Sequence, residues 1–234
     1  MHTRLRRTFL LVTFCLLAAA AGAHAQTPVS PQPAPAPAPE DDPDKLPIPK
    51  FVVDARVVIP RFKQNATIAE GIGVATANLP TRGLGYVVGA HWYPLHAGLV
   101  TFGIGAEWMD SRASRTLDPT APATTPGPTV NAKLSSFAPQ FSLNFGKRNG
   151  WSYISGGIGK STYTTELESD PLPDQESGSK TINYGGGARW FAKKHVAFAV
   201  DLRFYAINPQ DETAERPAVP RMTLMMLSAG VSFK

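Results

Sequence analysis

Residues 196–204 read VAFAVDLRF. Val196, Phe198, Val200, Leu202 and Phe204 share one parity, while Asp201 and Arg203 share the other. In an extended chain successive side chains point to opposite faces, so one face is wholly apolar and the other carries both charges. A soluble barrel would bury the apolar face and expose the charges. A narrow barrel in lipid would do the reverse. The choice depends on how many other segments repeat the pattern and on how they are joined.

Seven further segments repeat it. Phe51, Val53, Ala55, Val57 and Ile59 oppose Asp54 and Arg56. Leu84, Tyr86, Val88, Ala90 and Trp92 oppose Gly85, Gly89, His91 and Tyr93. Val100, Phe102, Ile104, Ala106 and Trp108 oppose Thr101, Gly103, Gly105 and Glu107, and Phe137, Phe141, Leu143 and Phe145 oppose Gln140, Ser142 and Asn144. Residues 151–166 alternate more weakly, with Ile154 and Ile158 on one face. Ile182, Tyr184, Ala188 and Trp190 oppose Asn183, Gly185, Gly187 and Arg189, and Leu227, Ala229, Val231 and Phe233 oppose Ser228, Gly230 and Ser232. Eight strands of roughly 9 to 11 residues, the length of a tilted membrane strand, are expected. The 18 consecutive apolar residues of a membrane helix occur nowhere after the N-terminal segment.

The connections decide the reading. Tight turns are expected at residues 96–98, 147–150 and 192–195, and long polar loops between the other consecutive strands, including 117–130 and 168–180. Short and long links alternate, which gathers the turns at one end of the sheet and the loops at the other, as in outer-membrane barrels. Lipid offers no partner to a backbone N–H or C=O, so such a sheet must close on itself. Aromatic residues near the turn end (Phe51, Trp92, Phe145, Trp151, Trp190, Phe233) and nearer the loops (Trp108, Tyr163, Phe204) suggest two interfacial belts.

The N-terminus carries Arg4, Arg6 and Arg7, an apolar run from Phe9 to Ala21, and Ala23-His24-Ala25. This is the order of a secretory signal peptide, with cleavage after Ala25. Cys15 lies inside it without the small residues before it that lipoprotein processing needs, so the exported protein is expected to have no cysteine. The chain carries 23 Lys+Arg against 18 Asp+Glu, and loss of the three arginines leaves it near neutral, with no clustered basic footprint for nucleic acid. Residues 26–49, rich in Pro and Ala, read as a solvated periplasmic linker. The acidic run Glu40-Asp41-Asp42-Pro43-Asp44 lacks calcium-loop spacing. The expected organisation is signal peptide 1–25, linker 26–49 and barrel domain 50–234.

Tyr184-Gly185-Gly186-Gly187-Ala188-Arg189-Trp190, followed by a basic turn and the strand from Val196 to Tyr205, resembles the small outer-membrane β-barrel domain family related to the OmpA transmembrane domain. The ending Leu227-Ser228-Ala229-Gly230-Val231-Ser232-Phe233-Lys234 looks like the closing strand of that family. The resemblance implies an all-β, eight-stranded, antiparallel, up-and-down barrel in the outer membrane of a Gram-negative cell. It also implies that Phe233 is read as an assembly signal by the barrel-assembly machinery, although here Lys234 follows it. It implies nothing specific about activity.

Motifs that would carry chemistry are few. Ser155-Gly156-Gly157-Ile158-Gly159-Lys160-Ser161-Thr162 ends like a phosphate-binding loop, but Ile154 stands where the first glycine is required and Tyr163-Thr164-Thr165 favours strand over helix. An acyl hydrolase needs a serine, a histidine base and a carboxylate in contact. Only His91 lies in the wall, facing inward, without an H-x-S pair; His96 and His195 fall in expected turns. No ligand spacing for a metal and no cofactor motif is seen. Asn65-Ala66-Thr67 reads as loop sequence. The one constellation left is the inward set Asp54, Arg56, Glu107, Arg189, Asp201 and Arg203, expected to form a polar network filling the lumen. The sequence thus points to a non-enzymatic barrel with a structural or interaction role. Expected partners are outer-membrane lipid and lipopolysaccharide, the assembly machinery, and an extracellular ligand at the long loops. The alternatives are a minor pore for ions or small solutes and a lipid-modifying enzyme.

Overall fold

The computed structural model describes residues 47–119, 125–173 and 178–234. The signal segment, cleavage at Ala25 and the linker up to residue 46 lie outside the described residues. Eight strands follow one another: β1 (Phe51–Arg61), β2 (Leu84–Ala97), β3 (Val100–Thr116), β4 (Thr129–Lys147), β5 (Gly150–Leu167), β6 (Ser179–Phe191), β7 (Val196–Ile207) and β8 (Met222–Phe233). They form a closed antiparallel barrel in sequence order, with β8 returning to pair with β1 through Val53 opposite Phe233 and Ala55 opposite Val231. Gly98-Leu99, Arg148-Asn149 and residues 192–195 make the tight turns, and the long connections sit at the other end. His96, expected in a turn, instead lies in the last residues of β2.

The strand lengths also need correction. The strands run from 11 residues in β1 to 19 in β4, and β3 and β5 reach 17 and 18, well past the expected 9 to 11. The extra length is at the loop end, and there the alternation changes phase. In β4, Phe137, Phe141 and Phe145 face outward, but Val130, Ala132 and Leu134 are buried inside while Lys133 is exposed outside. In β5, Ile154 and Ile158 face out, but Tyr163 faces in. The lipid-facing stretch is therefore apolar outside and encloses the polar residues, and the loop-end half is built like a soluble barrel. The physical reason is solvent: once a strand leaves the hydrocarbon, its outer face meets water and its inner face supplies the core.

A further correction concerns the linker boundary. Ile48, assigned to a solvated linker, is buried against Val52, Tyr93, Trp151 and Tyr153, and the Lys50 carbonyl accepts from Tyr93 N at 2.8 Å. The barrel's turn end is thus floored by the segment that leads into it. Trp151, expected in an interfacial belt, belongs to this floor, and Tyr163 belongs to the apolar interior of the loop end. Phe51, Trp92, Trp190 and Phe233 do face outward, with Phe51 stacked on Trp92.

Between β1 and β2 lies a short helix, α1 (Ala66–Gly71). Asn65 is its N-cap rather than plain loop: Oδ1 accepts from the backbone N–H of Thr67 at 2.9 Å and of Ile68 at 3.4 Å. The cap fixes Ile68 and Ala69 in the apolar interior with Phe62, Leu79, Leu134 and Leu224, closing the loop end. Asn65→Ala is expected to cost about 1 kcal/mol locally. Faster proteolytic cleavage between residues 61 and 82, with the barrel itself intact, is the expected readout.

Candidate functional site

Between floor and apolar cap lies a belt of acidic and basic side chains. All six inward charges expected from the sequence meet there: Asp54 and Arg56 from β1, Glu107 from β3, Arg189 from β6, and Asp201 and Arg203 from β7 are each buried. Three carboxylates face three guanidinium groups, so these six side chains balance one another in formal charge. An uncompensated charge in this setting would cost several kcal/mol, so the balance is a requirement of burial.

The pairing is specific. Arg189 approaches Asp54 with two nitrogens, Nε donating to Oδ1 at 3.1 Å and Nη2 to Oδ2, while the Ser232 hydroxyl donates to the same carboxylate. The Arg189 guanidinium also lies 4.3 Å from the Tyr153 ring centroid. Arg56 Nη2 donates to Glu107 Oε1, and Gln140 Nε2 donates to Oε2 at 2.7 Å. Arg203 spans Glu107 and Asp201: Nε lies 3.4 Å from Glu107 Oε2, and Nη2 lies 3.1 Å from Asp201 Oδ2. Asp201 also accepts from the Tyr153 hydroxyl at 2.8 Å, and Arg203 Nη2 donates to Ser155 Oγ at 2.8 Å.

Glycines make room for these groups. A Cβ at Gly105 would lie 2.4 Å from His91 Nδ1, and one at Gly187 would lie 2.7 Å from the Tyr153 hydroxyl. The phosphate-loop lookalike is resolved in the same terms. Residues 155–162 run along β5, where a Cβ at Gly157 or Gly159 would meet a β4 carbonyl at 2.1 Å. Close wall packing explains these glycines, and Ser155 turns out to serve Arg203.

His91 is the residue whose surroundings the sequence could not supply. Its inward face was legible, but its neighbours come from β1 and β3. Nε2 lies 3.1 Å from Asp54 Oδ2 and 3.8 Å from Glu107 Oε1. One ligand atom each from Asp54, His91 and Glu107 fall within 4.8 Å of one another, a grouping that linear spacing did not reveal. Arg189 already engages Asp54, and Arg56 and Arg203 flank Glu107, so an added cation would meet three guanidinium groups. The belt is built for internal neutralisation. Gln140, Tyr153, Ser155 and Ser232 also belong to it; their inward parity was the only sequence signal available.

Outside the belt, the wall turns Val57, Phe137, Phe141, Ile154, Phe198 and Leu227 outward and exposed. A closed sheet with acidic and basic groups inside and such a surface outside can be solvated only by lipid. The chain is a closed, membrane-spanning β-barrel. No protein-family profile and no curated protein matches it. Solved structures of similar architecture include Neisserial surface protein A (NspA), at 14% identity over 80% of this chain and 97% of that chain, with a TM-score of 0.48. The outer membrane protein OprG from Pseudomonas aeruginosa is 9% identical over 82% and 98%, with a TM-score of 0.48. The outer membrane protease OmpT from Escherichia coli is 10% identical over 66% of this chain and 64% of its own, with a TM-score of 0.40. Likenesses this distant concern architecture alone, and the roles of residues must be argued from this barrel's own geometry.

Proposed function

We propose that this barrel is a non-enzymatic structural and interaction protein of the outer membrane, with a sealed lumen and long loops presented to the outside. The observation that carries the reading is the stacking of three fillings in one lumen. An aromatic floor at Tyr93 and Trp151 lies below the ion-pair belt, which lies below an apolar cap of Leu134, Leu224, Met226 and α1. Water and ions would have to displace each filling to pass, so the pore reading loses its support. The lipid-modifying reading loses its support too, because the carboxylates near His91 are engaged by arginines and Ser155 is hydrogen-bonded to Arg203 instead.

The refolded chain in detergent is expected to migrate differently with and without boiling, and to insert into planar bilayers without stepwise current. Unit conductance steps would return the pore reading to first place. Hydrolysis of labelled lipid A would restore the enzyme.

A further inference from the structure

Three pairs of basic residues face each other across neighbouring strands on the outer wall. Arg61 bridges to Arg82, Arg112 is in register with Lys133, and Lys160 is in register with Lys180. All six are exposed. Each stands one or two outward positions beyond the apolar run of its strand towards the loops. Arg61 follows Ile59, Arg82 precedes Leu84, Lys160 follows Ile158 and Lys180 precedes Ile182, while Arg112 and Lys133 lie one outward position further from Trp108 and Phe137.

Directly opposed like charges destabilise an antiparallel pair. The middle pair is partly compensated: Lys133 Nζ lies 2.7 Å from Glu166, and Arg112 Nε lies 3.6 Å from Asp110. Arg61, Arg82, Lys160 and Lys180 have no acidic partner among the described residues. Like pairs repeated at the rim of an apolar wall, three times around one barrel, call for an anion supplied from outside. The rim of the hydrocarbon band is where lipid phosphates lie.

We propose that these pairs form a girdle that binds the phosphate groups of outer-leaflet lipids, each phosphate held between two basic side chains with its acyl chains against the apolar run below. A free phosphate would gain only the charges. A phosphorylated lipid also gains the wall of Ile59, Ile158 and Ile182, and this is why the girdle is assigned to lipid. The inference rests on the membrane reading above and extends it to a defined lipid chemistry.

The test uses the full exported chain in a neutral detergent, with bisphosphorylated lipid A, its dephosphorylated form and inorganic phosphate as probes. Bound lipid is counted by native mass spectrometry, and thermal unfolding is followed in parallel. Bisphosphorylated lipid A is expected to remain bound and to raise the unfolding temperature, and the dephosphorylated lipid to do neither. A tenfold excess of inorganic phosphate is expected not to displace it. Lys160→Gln with Lys180→Gln is expected to weaken retention on the order of tenfold. The same variant is expected to unfold at an equal or higher temperature than the parent when no lipid is added, because the repulsion is gone. Lys160→Arg with Lys180→Arg is expected to keep binding. Equal retention of the two lipids by the parent chain would overturn the girdle, whatever the variants do. Displacement by inorganic phosphate would overturn its assignment to lipid. A heat-modifiable barrel that fails these tests leaves the membrane reading standing, whereas a chain that stays soluble without detergent removes both.

Discussion

Arg189→Leu is expected to lower the stability of the refolded barrel by about 3–5 kcal/mol, the cost of leaving a buried carboxylate without its cation. Asp54 would keep the Ser232 hydroxyl and His91 but lose the two-nitrogen contact that balances its charge. Asp54→Asn alone is expected to be comparably damaging, since it strands the guanidinium under Tyr153. The double variant Asp54→Asn, Arg189→Leu is expected to recover a large part of either loss. Urea unfolding in phospholipid vesicles, followed by tryptophan fluorescence, measures all three. If the losses simply add, the two residues do not act as a pair.

Glu107→Ala and Asp201→Ala are each expected to cost about 3–5 kcal/mol for the same reason. Both acids serve the same two arginines: Arg56 contacts Glu107 and Asp201, and so does Arg203. Their effects should therefore be far from additive, in contrast to distant sites. Neither change is expected to open an ion path, because the floor at Tyr93 and Trp151 and the cap at Leu134 and Leu224 remain. Unchanged stability in both variants would refute the belt as a structural element. Current in either would show that the belt itself had been the seal.

The turn-end half of each strand was legible because lipid imposes one rule on every outward position there. Val196 to Phe204 and Leu227 to Phe233 obey it, and the inward charges Asp201 and Arg203 of the first met their partners as expected. The loop-end half was not legible because the rule inverts within a single strand. Between Leu134 and Phe137 the apolar parity shifts from inside to outside, so a single parity describes only one half of the strand. The same inversion made Tyr163 look like a lipid-facing aromatic. Within the belt, parity identifies who points inward, but partners depend on register around the barrel. Gln140 reaches Glu107 from the adjacent strand, whereas Arg189 reaches Asp54 across the lumen. The cap at Asn65 carries no sequence signal because six helical residues are too few to show a period.

The pairing of β1 with β8 has a consequence in time. Asp54 waits for Arg189, 135 residues further on, and for Ser232, 178 residues further on. Contacts of such sequence separation are slow to form, since the chain between them must be ordered before they return any free energy. Until the last strand arrives, β1 and β7 each present a row of unpaired backbone groups open to aggregation. The seam that closes the barrel is therefore its last step, and the Asp54–Arg189–Ser232 contact acts as a latch that sets only on a complete chain. The assembly of this protein should be limited by a single late event, with little half-closed material that outlives it.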